Sequence, residues 1–121
     1  MQKRFRLARS EDFKRVRRSG KSYAHPLVVL IALKSNQARI RVGVAAGRTV
    51  GTAVIRNRAK RLLREAMRIL LSDIAPATDD ASGWDLILIA RPGLASASLQ
   101  DTRLALTNLL RRAHILSPVH E

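Results

Sequence analysis

Two short, unbroken apolar runs set the strongest limit on the fold of this chain. Residues 27–33 (LVVLIAL) and residues 86–90 (LILIA) contain only apolar side chains. Runs of this length are typical of buried strands and are too short to span a bilayer. Between them, residues 39–44 alternate basic and apolar positions. That alternation predicts a further strand with one solvated face.

The helices are predicted from capping residues and from apolar spacing. Ser10 is expected to cap a short helix that ends at Gly20. Thr52 is expected to cap the longest helix, residues 53–71. Ser98, with an acid three positions later, has the pattern of a capping box and predicts the start of a last helix.

Together these elements predict a single α+β domain over residues 1–121. A short edge strand at Tyr23 completes a four-stranded sheet with helices packed on one face, in the order α-β-β-β-α-β-α. Residues 1–9 form a basic N-terminal arm, and residues 117–121 are expected to be a flexible tail.

Charge limits the partners of this chain more than any other global property. There are 23 Lys and Arg against 9 Asp and Glu, a formal net charge of +14. Such a field attracts polyanions, and the predominance of arginine favours nucleic acid over anionic lipid or acidic protein. The absence of cysteine excludes disulfides, thiolate catalysis and zinc-thiolate sites. No signal peptide is recognised, so a cytoplasmic location is expected.

The longest predicted helix separates apolar from basic residues. At about 100° per residue, one side collects the apolar positions and predicts the core face: Ile55, Ala59, Leu62, Leu63, Ala66, Ile69 and Leu70. A basic row spaced by four is predicted on the far side: Arg56, Lys60, Arg64 and Arg68. Asn57 and Arg61 fall beside that row, Arg58 falls at the border of the core face, and Met67 is the apolar residue that breaks the pattern.

A solvated helix face normally mixes charges of both signs. Like charges at this spacing destabilise a helix by a few tenths of a kcal/mol each, and Glu65 is the only acid between residues 53 and 71. A polyanion that releases counterions on binding would offset this repulsion. The loop before the helix contains Arg48, and a helix N-terminus is itself an anion site. The helix is therefore predicted to bind nucleic acid.

The residues of this helix also resemble a known family. The run RNRAKRLLRE, residues 56–65, closely resembles the Arg-Asn-Arg motif of bacterial ribonuclease P proteins. The preceding GTAVI, the N-terminal block from Arg6 to Gly20 and the strands at residues 41–44 and 86–91 also match the family, in the right order. The similarity covers nearly the whole chain.

The resemblance implies a function that spacing alone does not show. In this family an RNA subunit is the catalyst and uses Mg²⁺, and the protein binds that RNA together with precursor tRNA. The holoenzyme is an endoribonuclease that removes the 5′ leader. The chain itself is then expected to supply no catalytic residue, to bind no metal alone, and to need neither a membrane nor an obligate protein partner. The implied fold is ribosomal protein S5 domain 2-like, with a left-handed β-α-β crossover.

The resemblance and the charge pattern together define two candidate sites. The leader is expected in a cleft between the sheet and the first helix, lined by Phe13, Arg17 and Ile31. Phe13 is expected to stack on a base, although a lone Phe on such a helix is also a candidate core residue. Other family members often have an aromatic residue where this chain has Arg17, and some have tyrosine where it has Ile31. The residues expected to contact the catalytic RNA are Arg48, Arg56, Asn57, Arg58, Lys60, Arg61, Arg64 and Arg68.

The sequence contains no self-contained catalytic constellation. His25, His114 and His120 lack the spacing of metal ligands, and the Asp79-Asp80 pair is typical of a solvated loop. The main alternative is a structural RNA-binding protein such as a ribosomal protein, which the identity of the bound RNA would distinguish. A DNA-binding transcription factor lacks support because no helix-turn-helix is recognised. A protein-only nuclease would cleave precursor tRNA unaided, and a membrane-surface helix would need aromatic residues on its apolar face.

Overall fold

The computed structural model describes residues 5–37, 39–74 and 83–116, and of residues 72–74 it describes the backbone. The elements follow the predicted order: α1 Ser10–Ser19, β1 Lys21–Ala24, β2 Val28–Ser35, β3 Ile40–Ala46, α2 Ala53–Ile74, β4 Gly83–Ala90 and α3 Leu99–Arg112. Two 3-10 turns, Arg48–Val50 and Pro92–Ser96, precede α2 and α3. Among the described residues, no helix is both long and apolar enough to cross a membrane.

The four strands form one mixed sheet in the order β1-β2-β4-β3. β2 pairs antiparallel with β1 and with β4, whereas β3 pairs parallel with β4. A parallel pair needs a crossover connection, and α2 supplies it. The α+β class, the element order and the four-stranded sheet are confirmed; the left-handed crossover and the ribosomal-protein-like classification stay predictions.

The sheet is covered on both faces, which corrects one part of the predicted architecture. Val28, Leu30 and Ala32 of β2 belong to the main core with α2 and α3. Ile31 belongs to a second cluster that α1 covers through Val16. The expectation of helices on one face is therefore wrong for α1. Its physical reason is that a strand with apolar residues on both sides must be covered on both sides.

Helix termini mostly follow the predicted capping. The Thr52 hydroxyl accepts from the N–H of Ile55 at 3.4 Å, and Ser98 forms the predicted capping box. Gly20 ends α1 and donates its N–H to the helix at 2.7 Å. The prediction for Ser10 is wrong, because Ser10 is the first helical residue and Arg9 stands at the N-cap without a side-chain cap.

The described part of the N-terminal arm lies along the outer edge of β3. Arg6 forms a parallel bridge with Val42, and the N–H of Leu7 donates to the Val42 carbonyl at 2.9 Å. Leu7 is buried. Residues 5–7 are therefore tied to the sheet. The first four residues, the Asp79-Asp80 loop and the predicted tail at 117–121 lie outside the described residues.

Candidate nucleic-acid interface

The core face of α2 differs from the predicted one. Ile55 is 37% exposed, whereas Met67 is fully buried. Both changes rotate the core face by about 60°, at 100° per residue. The prediction that Met67 breaks the pattern is therefore wrong. The side chains that the structure buries on this helix are Ala59, Leu63, Ala66, Met67, Leu70 and Leu71.

The rotation changes which polar residues of α2 point away from the protein. In the N-terminal half of α2 the exposed polar residues are Asn57, Arg58 and Arg61, here called the ridge; Glu65 and Arg68 are exposed further along the helix. The predicted far-side row does not hold: its first three members, Arg56, Lys60 and Arg64, are half-buried and are here called the flank. Arg58, predicted at the core border, is exposed because the core face of the helix is rotated away from it.

The arginines of the ridge differ from Arg68 in their charge partners. Arg58 and Arg61 form no ion pair with any described residue, so their charges face solvent. Arg68 instead pairs with Glu65 at 2.5 Å, and hydrogen bonding between them raises the pKa of Arg68 and lowers that of Glu65. The structure brings Arg68 to the exposed side but gives it an internal counter-charge. The unneutralised cations of α2 are thus concentrated toward its N-terminal half.

The flank is packed and partly dehydrated. Burial, with a smaller contribution from the positive charge of Arg6, lowers the pKa of Arg64. The Nε of Arg56 is buried and has no hydrogen-bond partner among the described residues. An anion placed beside this part of α2 would supply both the missing acceptor and the missing counter-charge.

Side chains on the α1 face of the sheet fall into three rows that run across the strands. The pairing register sets Arg41, Asp85 and Leu33 side by side in the first row. The middle row is Gly43, Ile87, Ile31 and Ser22. The third, here called the open row, is Ala45, Ile89, Val29 and Ala24.

α1 lies over the middle row and leaves the open row uncovered. Ile87 is fully buried and Ile31 is 6% exposed, and a Cβ on Gly43 would overlap the ring of Phe13. The open row is half-buried or exposed throughout. At about 4.8 Å between strands it is about 14 Å wide, which gives an apolar floor with low side chains.

Helix geometry directs two of the three predicted leader residues toward that floor. Arg15 of α1 contacts Asp85 in the first row. Phe13 and Arg17 each lie two residues from Arg15, about 200° around the helix, and so line the side toward the open row. Phe13 is half-buried and Arg17 is exposed. Ile31 must be corrected, because Val16 packs over it and its side chain does not reach the cleft surface.

The open row and the start of α2, along which the ridge runs, lie toward the same end of the sheet. Because β3 and β4 are parallel, both strands end there, with Ala46 paired to Ala90. Exposed Arg48 follows β3 and leads into the N-terminus of α2. Exposed Arg91 follows β4 and donates from its guanidinium to the His25 carbonyl at 3.3 Å. Sequence reasoning missed Arg91; its position directly after a buried strand was the available signal.

The first row contains a buried charge that sequence reasoning also missed. Asp85 is 1% exposed and accepts from Arg41 through two hydrogen bonds of 3.0 Å, and from Arg15 at 2.5 Å. Burial raises the pKa of Asp85, but the hydrogen bonds from both arginines outweigh it and hold the pKa below its usual value. Asp12 lies beside the same arginines, 3.3 Å from Arg15.

These acids do not make a metal site. Asp12 and Asp85 are both engaged by arginines, and no group of three or more potential ligands occurs among the described residues. Since Mg²⁺ binds through free oxygen ligands, these two carboxylates do not fit it.

Comparison with known proteins finds relatives that match most of the chain. The family model described as Ribonuclease P matches residues 1–114. The chain is 39% identical to a ribonuclease P protein component of Herpetosiphon aurantiacus, over 95% of this chain and 89% of that one. It is 37% identical to another from Brevibacillus brevis, over 99% and 93%. The solved Staphylococcus aureus RNase P protein superposes with a TM-score of 0.76 at 26% identity, covering 92% of this chain and 96% of that one.

Proposed function

This chain belongs to the ribonuclease P protein family, and from that premise we propose that its ridge binds the RNA subunit while its open row binds the 5′ leader of precursor tRNA. As a subunit of ribonuclease P, it serves in tRNA 5′ maturation. The proposal assigns each RNA to a different face of the sheet and places the activity in the cytoplasm.

The observation that supports this division is that both surfaces start from the same end of the sheet. The ridge offers exposed cations and a helix N-terminus, which suit a sugar-phosphate backbone. The open row offers an apolar floor beside Phe13 and Arg17, which suits unpaired bases. The ridge and the open row both start from the end of the sheet that Arg48 and Arg91 occupy. Cations at that end would screen the repulsion between two RNAs held side by side.

In this proposal the reacting groups and the Mg²⁺ belong to the RNA. The buried acid Asp85 has both carboxylate oxygens occupied by arginines, so it is no general base. His25 accepts the N–H of Leu27 through Nδ1 at 3.1 Å and has no acid beside it among the described residues. The protein would act by raising substrate affinity.

Binding of the RNA subunit tests the ridge. A protein with both Arg58→Ala and Arg61→Ala should bind ribonuclease P RNA more weakly than the wild type. Arg111→Ala, which removes an exposed charge from α3, serves as the control and should have a smaller effect. Equal affinity of the wild type for ribosomal RNA would favour the ribosomal alternative.

Cleavage of precursor tRNA at low Mg²⁺ tests the assignment of chemistry. The reconstituted particle should cleave faster than the RNA alone, and the protein alone should not cleave. Cleavage by purified, RNA-free protein would overturn the proposal. For the open row, Phe13→Ala should reduce the preference for precursor tRNA over the same tRNA without its leader.

A further inference from the structure

Asp85 is the only charged side chain that is buried among the described residues. A buried ion pair is rarely more stabilising than a well-packed apolar pair, so stability alone does not explain it. What the buried carboxylate adds is a set of hydrogen bonds with defined geometry. Asp85 on β4 accepts from Arg41 on β3 and from Arg15 on α1. These three residues are here called the clamp.

The clamp lies behind α1 as seen from the open row. Asp85 and Ile89 are four residues apart on β4, about 13 Å at 3.3 Å per residue. Arg15 leaves α1 about 200° away from both Phe13 and Arg17. A strand of RNA on the open row is therefore out of reach of the clamp, with α1 standing between them.

The two ends of α1 are tied to the sheet, by Leu7 on β3 and by the start of β1 at Lys21, but few apolar contacts fix the position of the helix between them. Val16 is its only fully buried residue, and Phe13 rests on the bare backbone of Gly43. Apolar contact is non-directional and tolerates sliding. The bidentate bond between Arg41 and Asp85, together with the bond from Arg15, has a defined geometry and so selects one position.

We propose that the clamp sets the distance between α1 and the open row, and thereby the width of the groove that holds the leader. Arg15, Arg41 and Asp85 are then positioning residues for leader recognition and do not touch RNA. This inference rests on the proposed function of the open row.

The test measures how strongly the reconstituted particle prefers precursor tRNA over the same tRNA without a leader. Asp85→Asn and Arg15→Met should each lower this preference by about fivefold or more, the lower end of what one stacked base contributes. Affinity for ribonuclease P RNA should stay unchanged or rise in Asp85→Asn, because that variant loses a negative charge. If net charge alone acted, Asp85→Asn would bind the leader more tightly, and the preference for precursor tRNA would rise.

Charge-matched variants on α1 separate position from net charge. Glu11→Gln makes the same charge change as Asp85→Asn, and Lys14→Met the same change as Arg15→Met; both residues are exposed and outside the clamp. Both controls should retain the leader preference. Arg15→Lys keeps the charge and one donor, and should restore much of what Arg15→Met loses.

The outcomes distinguish this inference from the function beneath it. A wild-type particle without leader preference would overturn both. A wild-type preference that survives in Asp85→Asn and Arg15→Met would overturn the clamp and leave the proposed function standing, as would equal losses in the controls. Circular dichroism verifies folding, and if Asp85→Asn does not fold, Arg15→Met decides, because it leaves the bond between Arg41 and Asp85 in place.

Discussion

Replacing Asp85 with asparagine should destabilise the free protein by about 3 kcal/mol. Removing one partner from a buried ion pair costs about 3–5 kcal/mol. The lower end applies here because the Arg15 side chain is 37% exposed and the Arg41 side chain 20% exposed, so each can turn toward water. Urea unfolding at pH 7 measures the difference.

A double-mutant cycle separates the bond between α1 and the sheet from the rest. Arg15→Met alone should cost about 1 kcal/mol, discounted for the partial exposure of Arg15. In the Asp85→Asn background the same change should cost almost nothing, giving a coupling of about 1 kcal/mol. A coupling below about 0.3 kcal/mol, within the usual additivity error, would refute the claim that these two residues hold the helix.

The Asp85 carboxylate should make the free energy of unfolding depend on pH in the acid range. Burial and the two arginine bonds leave the pKa of Asp85 below its usual value in the folded state, so folding is favoured while the group is ionised. This stabilisation is present above the unfolded pKa, about 3.9, and is lost as the pH falls from there through the folded value. Wild-type stability should therefore fall more steeply with acid than that of Asp85→Asn. Parallel curves would contradict the assignment.

Three further outcomes follow from single contacts. Arg61→Ala should reduce the salt slope of RNA binding by about one unit per lost phosphate contact, whereas Arg111→Ala should leave it nearly unchanged; filter binding over a salt series checks both. Gly43→Ala should destabilise by about 1–3 kcal/mol, because its methyl group overlaps the ring of Phe13, and unchanged urea unfolding would contradict that overlap. Ser98→Ala should cost about 1 kcal/mol through loss of the capping box, with thermal unfolding as the measurement.

The elements of the fold were predictable because each has a local cause. Apolar run length gave the two buried strands, and Thr52 and Ser98 marked two helix starts. The burial of both faces of the sheet was also predictable, since every residue from 27 to 33 is apolar. The strand order was not, because the place of β4 between β2 and β3 depends on pairing between residues far apart in the chain.

The candidate site was predictable at the level of the segment and less so at the level of the side chain. The motif in α2 was found, but its rotation depends on where Met67 and Leu71 meet the core, which local spacing does not fix. Ile31 faces the correct side of the sheet and is nevertheless covered by α1. Asp85 gave no local signal, because its partners lie 44 and 70 positions away.

The central place of β4 bears on how the chain folds during synthesis. Of the four strands in this sheet, β4 is the last to leave the ribosome, yet it is the partner of β2 on one side and of β3 on the other. Until Gly83–Ala90 has emerged, β3 has no neighbouring strand and α2 has no finished sheet to pack against. Neither the ridge nor the open row is therefore in place before β4 has paired. A nascent chain with so many cations can thus pair all four strands only after β4 has been synthesised.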